Sequence, residues 1–258
     1  MSTRIITVAN QKGGVGKTTT AISVAACLAE AGRNVLLVDL DPQANATSGL
    51  GFEKKPGASA YAPLLGHEKL EEKVQATAFD RLSLIPSEVD LCGAEIELMR
   101  LEEPVQRLSR ALGPIRDSRG FEVILIDCPP SLSVLTMNAF AAAEHLLVPL
   151  QCEYYALEGI ATIHRLLNQM KESGANPQLA LLGVVMTMFD ARTRLSHQVV
   201  EEVRRHFGEL VFETVIPRTT RLAEAPSFGK PILHYDPYSS ATAAYQVLTG
   251  EIAARLKI

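Results

Sequence analysis

Lys12-Gly13-Gly14-Val15-Gly16-Lys17-Thr18-Thr19 follows the apolar run Ile5-Ile6-Thr7-Val8-Ala9 and opens an alanine-rich helical pattern, Thr18 to Ala31, closed by Gly32. A glycine loop that passes from a strand into a helix presents free backbone N–H groups and the positive end of the helix dipole, an arrangement that takes an anion. The anion expected here is a nucleotide phosphate, cradled by Gly13, Gly14, Val15, Gly16, Lys17, Thr18 and Thr19. Lys17 brings a point charge to the terminal phosphates, and the Thr18 hydroxyl completes the shell of Mg2+, a hard cation that prefers oxygen. The usual phosphate loop, G-x-x-x-x-G-K-[ST], has glycine where this chain has Gln11, and Lys12 adds a second lysine that a phosphate cradle does not need. On the residues alone, Lys12 is either a solvated loop lysine or a contact to something beyond the cradle. The GxGxxG fingerprint of dinucleotide-binding folds is absent.

Outward from the loop, runs rich in Val, Ile and Leu recur at Ile5 to Ala9, Val35 to Val38, Leu82 to Ile85, Val123 to Ile126, Leu146 to Leu150, Leu181 to Met186 and Val211 to Ile216. Continuous apolar runs of this kind suit strands covered on both faces. Helical patterns at Asp90 to Leu112, Ser131 to Ala143, Leu157 to Lys171, Ser196 to Phe207 and Ala241 to Leu256 lie between or after them. The alternation predicts an α/β fold: a doubly wound, mostly parallel sheet with helices on both faces, of the P-loop NTPase kind. In such folds ligands bind beyond the carboxyl ends of the strands. The first strand ends in the glycine loop, the second in Asp39-Leu40-Asp41-Pro42 and the fourth in Asp127-Cys128-Pro129-Pro130, so three polar signals converge on one sheet edge. Asp127 is expected to hold the Mg2+ hydration shell opposite Thr18. Asp39 and Asp41, two residues apart, project to one side if the strand continues that far. One bears on Mg2+, taken as Asp39; the other, Asp41, is assigned to the attacking water.

At 258 residues, with 47% hydrophobic and 21% charged residues, the chain reads as a single domain, 1–258, with no linker, repeat or low-complexity tract. A formal net charge of -4 means that contact with nucleic acid must come from a local patch. From Arg192 to Arg221 there are six Arg (192, 194, 204, 205, 218, 221) against four Glu (201, 202, 209, 213). The 4 cysteines form no CxxC pair, and the 6 histidines no HExxH, so no metal-ligand set is legible. No stretch reaches the roughly 20 apolar residues of a spanning helix, and a cytoplasmic protein is expected.

These residues resemble a known family, the ParA/Soj chromosome-partitioning ATPases, within the deviant Walker A group that also includes MinD. Asn10 to Thr20, Val38 to Gln43, Asn45 to Gly51, Gly93 to Leu98, Ile126 to Leu132, Gln151 to Gly159, Asp190 to Thr193, Glu224 to Ser227 and Gly229 to Pro231 carry the likeness, which runs nearly end to end. The resemblance implies a role for Lys12: reaching across a two-fold interface to the nucleotide of a partner subunit, so that a homodimer sandwiches ATP. It implies that Lys12 and Lys17 serve hydrolysis together with Asp41, and that Pro217 lies with the nucleotide-binding residues. It further implies nonspecific binding to double-stranded DNA through Arg192 and Arg221, association with the nucleoid, and a ParB/Spo0J-like partner that stimulates slow hydrolysis. Ala44 stands where many relatives carry glycine, and Phe52 to Asp80 matches least. Two neighbouring readings stay open: a positioning ATPase for a protein cargo, and a MinD-like membrane-associated ATPase. The latter needs a basic amphipathic C-terminal helix, whereas the stripe Tyr245, Leu248, Ile252 and Leu256 reads as core packing and no stable membrane association is expected.

Overall fold

The computed structural model describes residues 3–118, 120–154 and 165–258. Eight strands form one sheet in the order β3-β4-β2-β5-β1-β6-β7-β8. They are β1 (Arg4–Val8), β2 (Val35–Asp39), β3 (Gln75–Ala76), β4 (Leu82–Ile85), β5 (Val123–Asp127), β6 (His145–Gln151), β7 (Ala180–Phe189) and β8 (Val211–Pro217). All neighbours pair in parallel except β3, which runs antiparallel on β4 at the edge. The two-residue β3 lies in the stretch 52–80 and is too short to leave a periodic signal.

Side chains alternate between two cores. Leu36 and Val38 of β2, with Ile124 and Ile126 of β5, face α3 (Tyr61–Leu65), α4 (Leu91–Leu98), α5 (Arg107–Ser118), α6 (Val134–Ala142), the helical residues 165–172 (α7) and α8 (Arg194–Phe207). Val35 and Leu37, with Val123 and Leu125, face α1 (Lys17–Glu30), α2 (Asn45–Gly49), α10 (Ile232–Tyr235) and α11 (Ser240–Leu256). α9 (Thr220–Glu224) follows β8. This two-sided cover is why the strands read as unbroken apolar runs. The α11 stripe Tyr245, Leu248, Ile252 and Leu256 is buried in the second core. No helix among the described residues is long and apolar enough to cross a membrane.

The helix expected over Asp90 to Leu112 is two helices, α4 and α5. The break spans residues 99–106, a stretch that holds Pro104, which lacks an N–H and disfavours helix at the residue before it, and Glu103, which adopts φ 51°. Asn138 of α6 fastens the gap, donating to the Pro104 carbonyl at 2.8 Å and accepting from the Leu108 amide at 3.0 Å. The helix expected over Leu157 to Lys171 begins outside the described residues, as does the Tyr155 to Gly159 part of the motif starting at Gln151. Cys27, Cys128 and Cys152 are buried, whereas Cys92 is exposed.

Candidate functional site

The phosphate loop joins the central β1 to α1. Gly14 and Gly16 take φ of 76° and 88°, a region that side chains with a Cβ rarely adopt, and nothing lies within 4 Å of where a Cβ at Gly13 or Gly14 would sit. Thr187 of β7 braces the loop, its hydroxyl donating to the Val15 carbonyl at 2.8 Å. From the other side the Asn10 side chain donates to Pro149 of β6 at 2.8 Å and accepts from the Lys12 amide at 3.0 Å. Thr193, Thr219 and Ser239 cap α8, α9 and α11 with side-chain oxygens; Gly16, at the cap of α1, has no side chain to do so. The first turn of α1 therefore keeps its N–H groups for an anion.

A cavity of about 360 Å³ opens on these groups, lined by Gly13, Gly14, Gly16, Lys17, Thr18 and Thr19 and facing Asp41, Gln43 and Asn45. Lys17 is buried, and its ammonium donates to the Lys12 carbonyl at 3.0 Å. Burial lowers its pKa, an effect opposed chiefly by the charge of Asp127. A second, more apolar cavity of about 280 Å³ shares Gly16, Thr19 and Met188 with the first and is lined by Pro217, Leu222 and Ala223. A polar compartment joined to an apolar one at the loop fits a phosphate chain with a flat base. Pro217 lines the apolar side.

The sheet register brings the acids together. Asp127 stands opposite Val8 on one side and Asp39 on the other, at three adjacent strand ends. Both Asp127 oxygens are buried without a hydrogen-bond partner among the described residues. The Thr18 hydroxyl is near enough to favour the charged form, though not in bonding geometry. Burial, then the like charge of Asp39, push the Asp127 carboxyl well above the usual aspartate range. Two orphaned carboxylate oxygens beside a threonine hydroxyl make the all-oxygen donor set that a hard divalent cation takes, so the residues fit Mg2+.

Asp39 differs from Asp127 in its surroundings. Its Oδ2 accepts from both the amide and the hydroxyl of Thr47 at 2.7 Å, and its Oδ1 accepts from the Asp41 amide at 3.2 Å. Burial raises its pKa, and the Thr47 bonds hold the rise down. One acceptor position of Oδ1 remains, so Asp39 can meet a metal-bound water, while Oδ2 is taken. Asp41 lies just beyond β2, its Oδ1 accepting from the Gln43 amide at 2.9 Å and its carboxylate facing the phosphate cavity.

The Lys12 side chain is half exposed and pairs with Glu153. Arg192 and Arg221 sit near the ends of β7 and β8, whose Phe189 and Pro217 are paired. Arg192 is 88% exposed and grips Asp190 through Nε at 2.9 Å and Nη2 at 2.8 Å; Arg221 pairs with Glu224 at 3.1 Å and Asp236 at 3.2 Å. Both arginines are reachable, and exposed pairs of this kind are worth little in water. Arg205 pairs with Glu202, and Arg204 donates to the Glu213 carbonyl. Thr47, Ser87, Thr187 and Met188 are parts of the site that sequence reasoning did not single out.

A family model described as an AAA domain matches residues 3–181. The chain is 51% identical over 254 residues to the chromosome-partitioning ATPase Soj of Thermus thermophilus, covering 98% of this chain and 97% of that one. It is 49% identical over 253 residues to the chromosome partitioning protein ParA of Myxococcus xanthus, covering 98% and 88%. A solved structure from Mycobacterium smegmatis, described as cobyrinic acid a,c-diamide synthase with bound ATP analog and magnesium, superposes with a TM-score of 0.85. It is less similar in sequence, at 38% identity over 99% of this chain and 96% of that one.

Proposed function

The chain belongs to the family of the ParA and Soj chromosome-partitioning ATPases, and from that premise we propose that it is a Mg2+-dependent ATPase acting as a spatial switch on DNA. The observation that carries the proposal is the orphaned Asp127 carboxylate facing Thr18 at the mouth of an uncapped glycine loop. ATP lays its phosphates over residues 13–19 and its base in the apolar cavity beside Pro217. Lys17 then exchanges the Lys12 carbonyl for a phosphate oxygen, a stronger, charge-assisted bond. Thr18 and Asp127 would hold Mg2+, with Asp39 near enough to accept from a metal-bound water, and the ion would supply neutralisation of charge on the phosphates. Asp41 orients the attacking water in line, which is most of what phosphoryl transfer asks of protein.

Lys12 leaves Glu153 for the nucleotide of a second subunit, so that pairing depends on the triphosphate charge and the dimer is an ATP-bound state. Arg192 and Arg221 of both subunits then meet DNA phosphates without reading sequence, which places the protein on the nucleoid. A ParB/Spo0J-like protein stimulates the slow hydrolysis and releases the subunits, moving a chromosome or plasmid. The test combines size-exclusion chromatography and DNA pelleting with ATP, ADP and no nucleotide. Dimer and DNA complex form with ATP alone, and D41A, which binds but does not hydrolyse, holds both states longer. Equal self-association under all three conditions overturns the proposal.

A further inference from the structure

Among the described residues the Asp41 carboxylate has one hydrogen bond of its own, from the Gln43 amide within the same turn. Its position is therefore set by whatever fixes that turn. Asp41 itself is tied from outside its side chain: its amide donates to Asp39 at 3.2 Å, and its carbonyl accepts from the Ser87 hydroxyl at 2.6 Å, while Lys54 and Ser48 bond the Gln43 and Ala44 carbonyls further along the turn. Ser87 lies two residues past β4, the parallel neighbour of β2, with Val38 paired to Ile85. Thr47 of α2 closes the ring. Its hydroxyl donates to Asp39 at 2.7 Å and accepts from the Ser87 amide at 2.8 Å. Asp39, Thr47 and Ser87 are fully buried and Asp41 is 5% exposed, so water does not compete for these bonds and each holds its direction. Ala44 holds a left-handed φ of 53° in the same turn, a conformation that costs a residue with a Cβ and persists only where surrounding contacts hold it.

We infer that Thr47 and Ser87 are positioning residues for hydrolysis: they anchor the turn that carries Asp41 to the ends of β2 and β4, and so place its carboxylate over the γ-phosphate. The inference rests on the ATPase reading above, and it gives Asp39 a second task as the acceptor on which the ring is built. Neither residue lines the phosphate cavity. Their loss should therefore lower kcat without weakening ATP binding, because displacement of a water-orienting group by about 1 Å costs roughly 10- to 100-fold in rate.

The experiment measures kcat and KM for ATP, nucleotide affinity and the thermal midpoint for T47V, T47S, S87A, D41A and the double variant T47V/D41A. T47V keeps the shape and loses the hydroxyl, and T47S restores it. Expected are a kcat about tenfold or more below wild type for T47V and S87A, ATP affinity within about twofold, and near-normal turnover for T47S. In the D41A background T47V should add no further loss, since a residue acting through Asp41 has nothing left to act on. If T47V and S87A keep wild-type turnover while D41A is inactive, the inference fails and the ATPase reading stands. A parallel fall in kcat, affinity and melting midpoint, unrescued by T47S, also overturns it as a general loss of structure. If D41A itself turns over normally, the reading beneath it has failed.

Discussion

Replacing Asp127 by Asn should raise the stability of the nucleotide-free protein while abolishing its response to Mg2+. Both oxygens of this side chain are buried and unpartnered among the described residues, and Asp39 stands opposite on β2. Leaving one buried polar group unsatisfied costs about 1–3 kcal/mol, and more when it is charged. Asparagine keeps the shape and removes both the charge and the repulsion from Asp39; it also takes a counter-charge from Lys17, a smaller influence on Asp127 than burial or Asp39. A net gain of about 1–3 kcal/mol corresponds to a melting midpoint about 2–10 °C higher in a chain of this size. The gain should depend on pH in a definite sense. With its pKa raised above the unfolded value, folded Asp127 holds a proton at pH values where the unfolded chain has lost it, so its penalty is absent below the ordinary aspartate range and complete above the folded pKa. Asp39, raised to about 6, adds to the same trend. Lowering pH from 7.5 towards 5.5 should therefore narrow the gap between D127N and wild type. Thermal melts in chelator, with and without ATP and Mg2+, provide the assay. The wild type should gain stability when Mg2+ is added to ATP, and D127N should gain none. A variant that melts below wild type in chelator, or that keeps the full Mg2+ response, would refute the assignment of these oxygens to the metal.

K12A should retain ATP binding and lose the difference in self-association between ATP and ADP, measured by light scattering; an unchanged difference would return Lys12 to the status of a solvated loop lysine. R192A and R221A should each weaken DNA binding across all sequences and reduce the slope of log affinity against log salt by about 1 for each phosphate no longer met, with ATP-dependent pairing intact. Full DNA binding by both variants would remove them from the interface. G14A should weaken ATP binding without loss of fold, because a Cβ there stands in open space yet disfavours the left-handed φ of 76° that the loop holds at the phosphates; unaltered affinity would argue against residues 13–19 as the cradle.

The convergence of the glycine loop, Asp39 and Asp127 on one sheet edge was legible because strand, loop and helix follow one another in the chain, and because the two aspartates end apolar runs that had to be buried strands. What stayed hidden depends on register between distant segments. Ser87 is an ordinary serine until β4 is laid beside β2, and Thr47 is a mid-helix threonine until Asp39 is seen to accept from it twice. The occupied state of Asp39, and the bareness of Asp127, are likewise matters of neighbours rather than of residue type. Thr187 lies 172 positions from the carbonyl it braces, a separation that no local pattern spans. The helix break around Pro104 was different in kind: the proline was in plain view, and the apolar periodicity on either side outweighed it.

The bare first turn of α1 has a wider reach than the anion it awaits. This helix packs on β2, β5 and β1 and against α11, so it is the inner timber of one whole face of the molecule. An arriving triphosphate finishes that beam at its open end. Loading with fuel and stiffening of the frame should then be one event, and the nucleotide-free protein is expected to be the looser of the two forms.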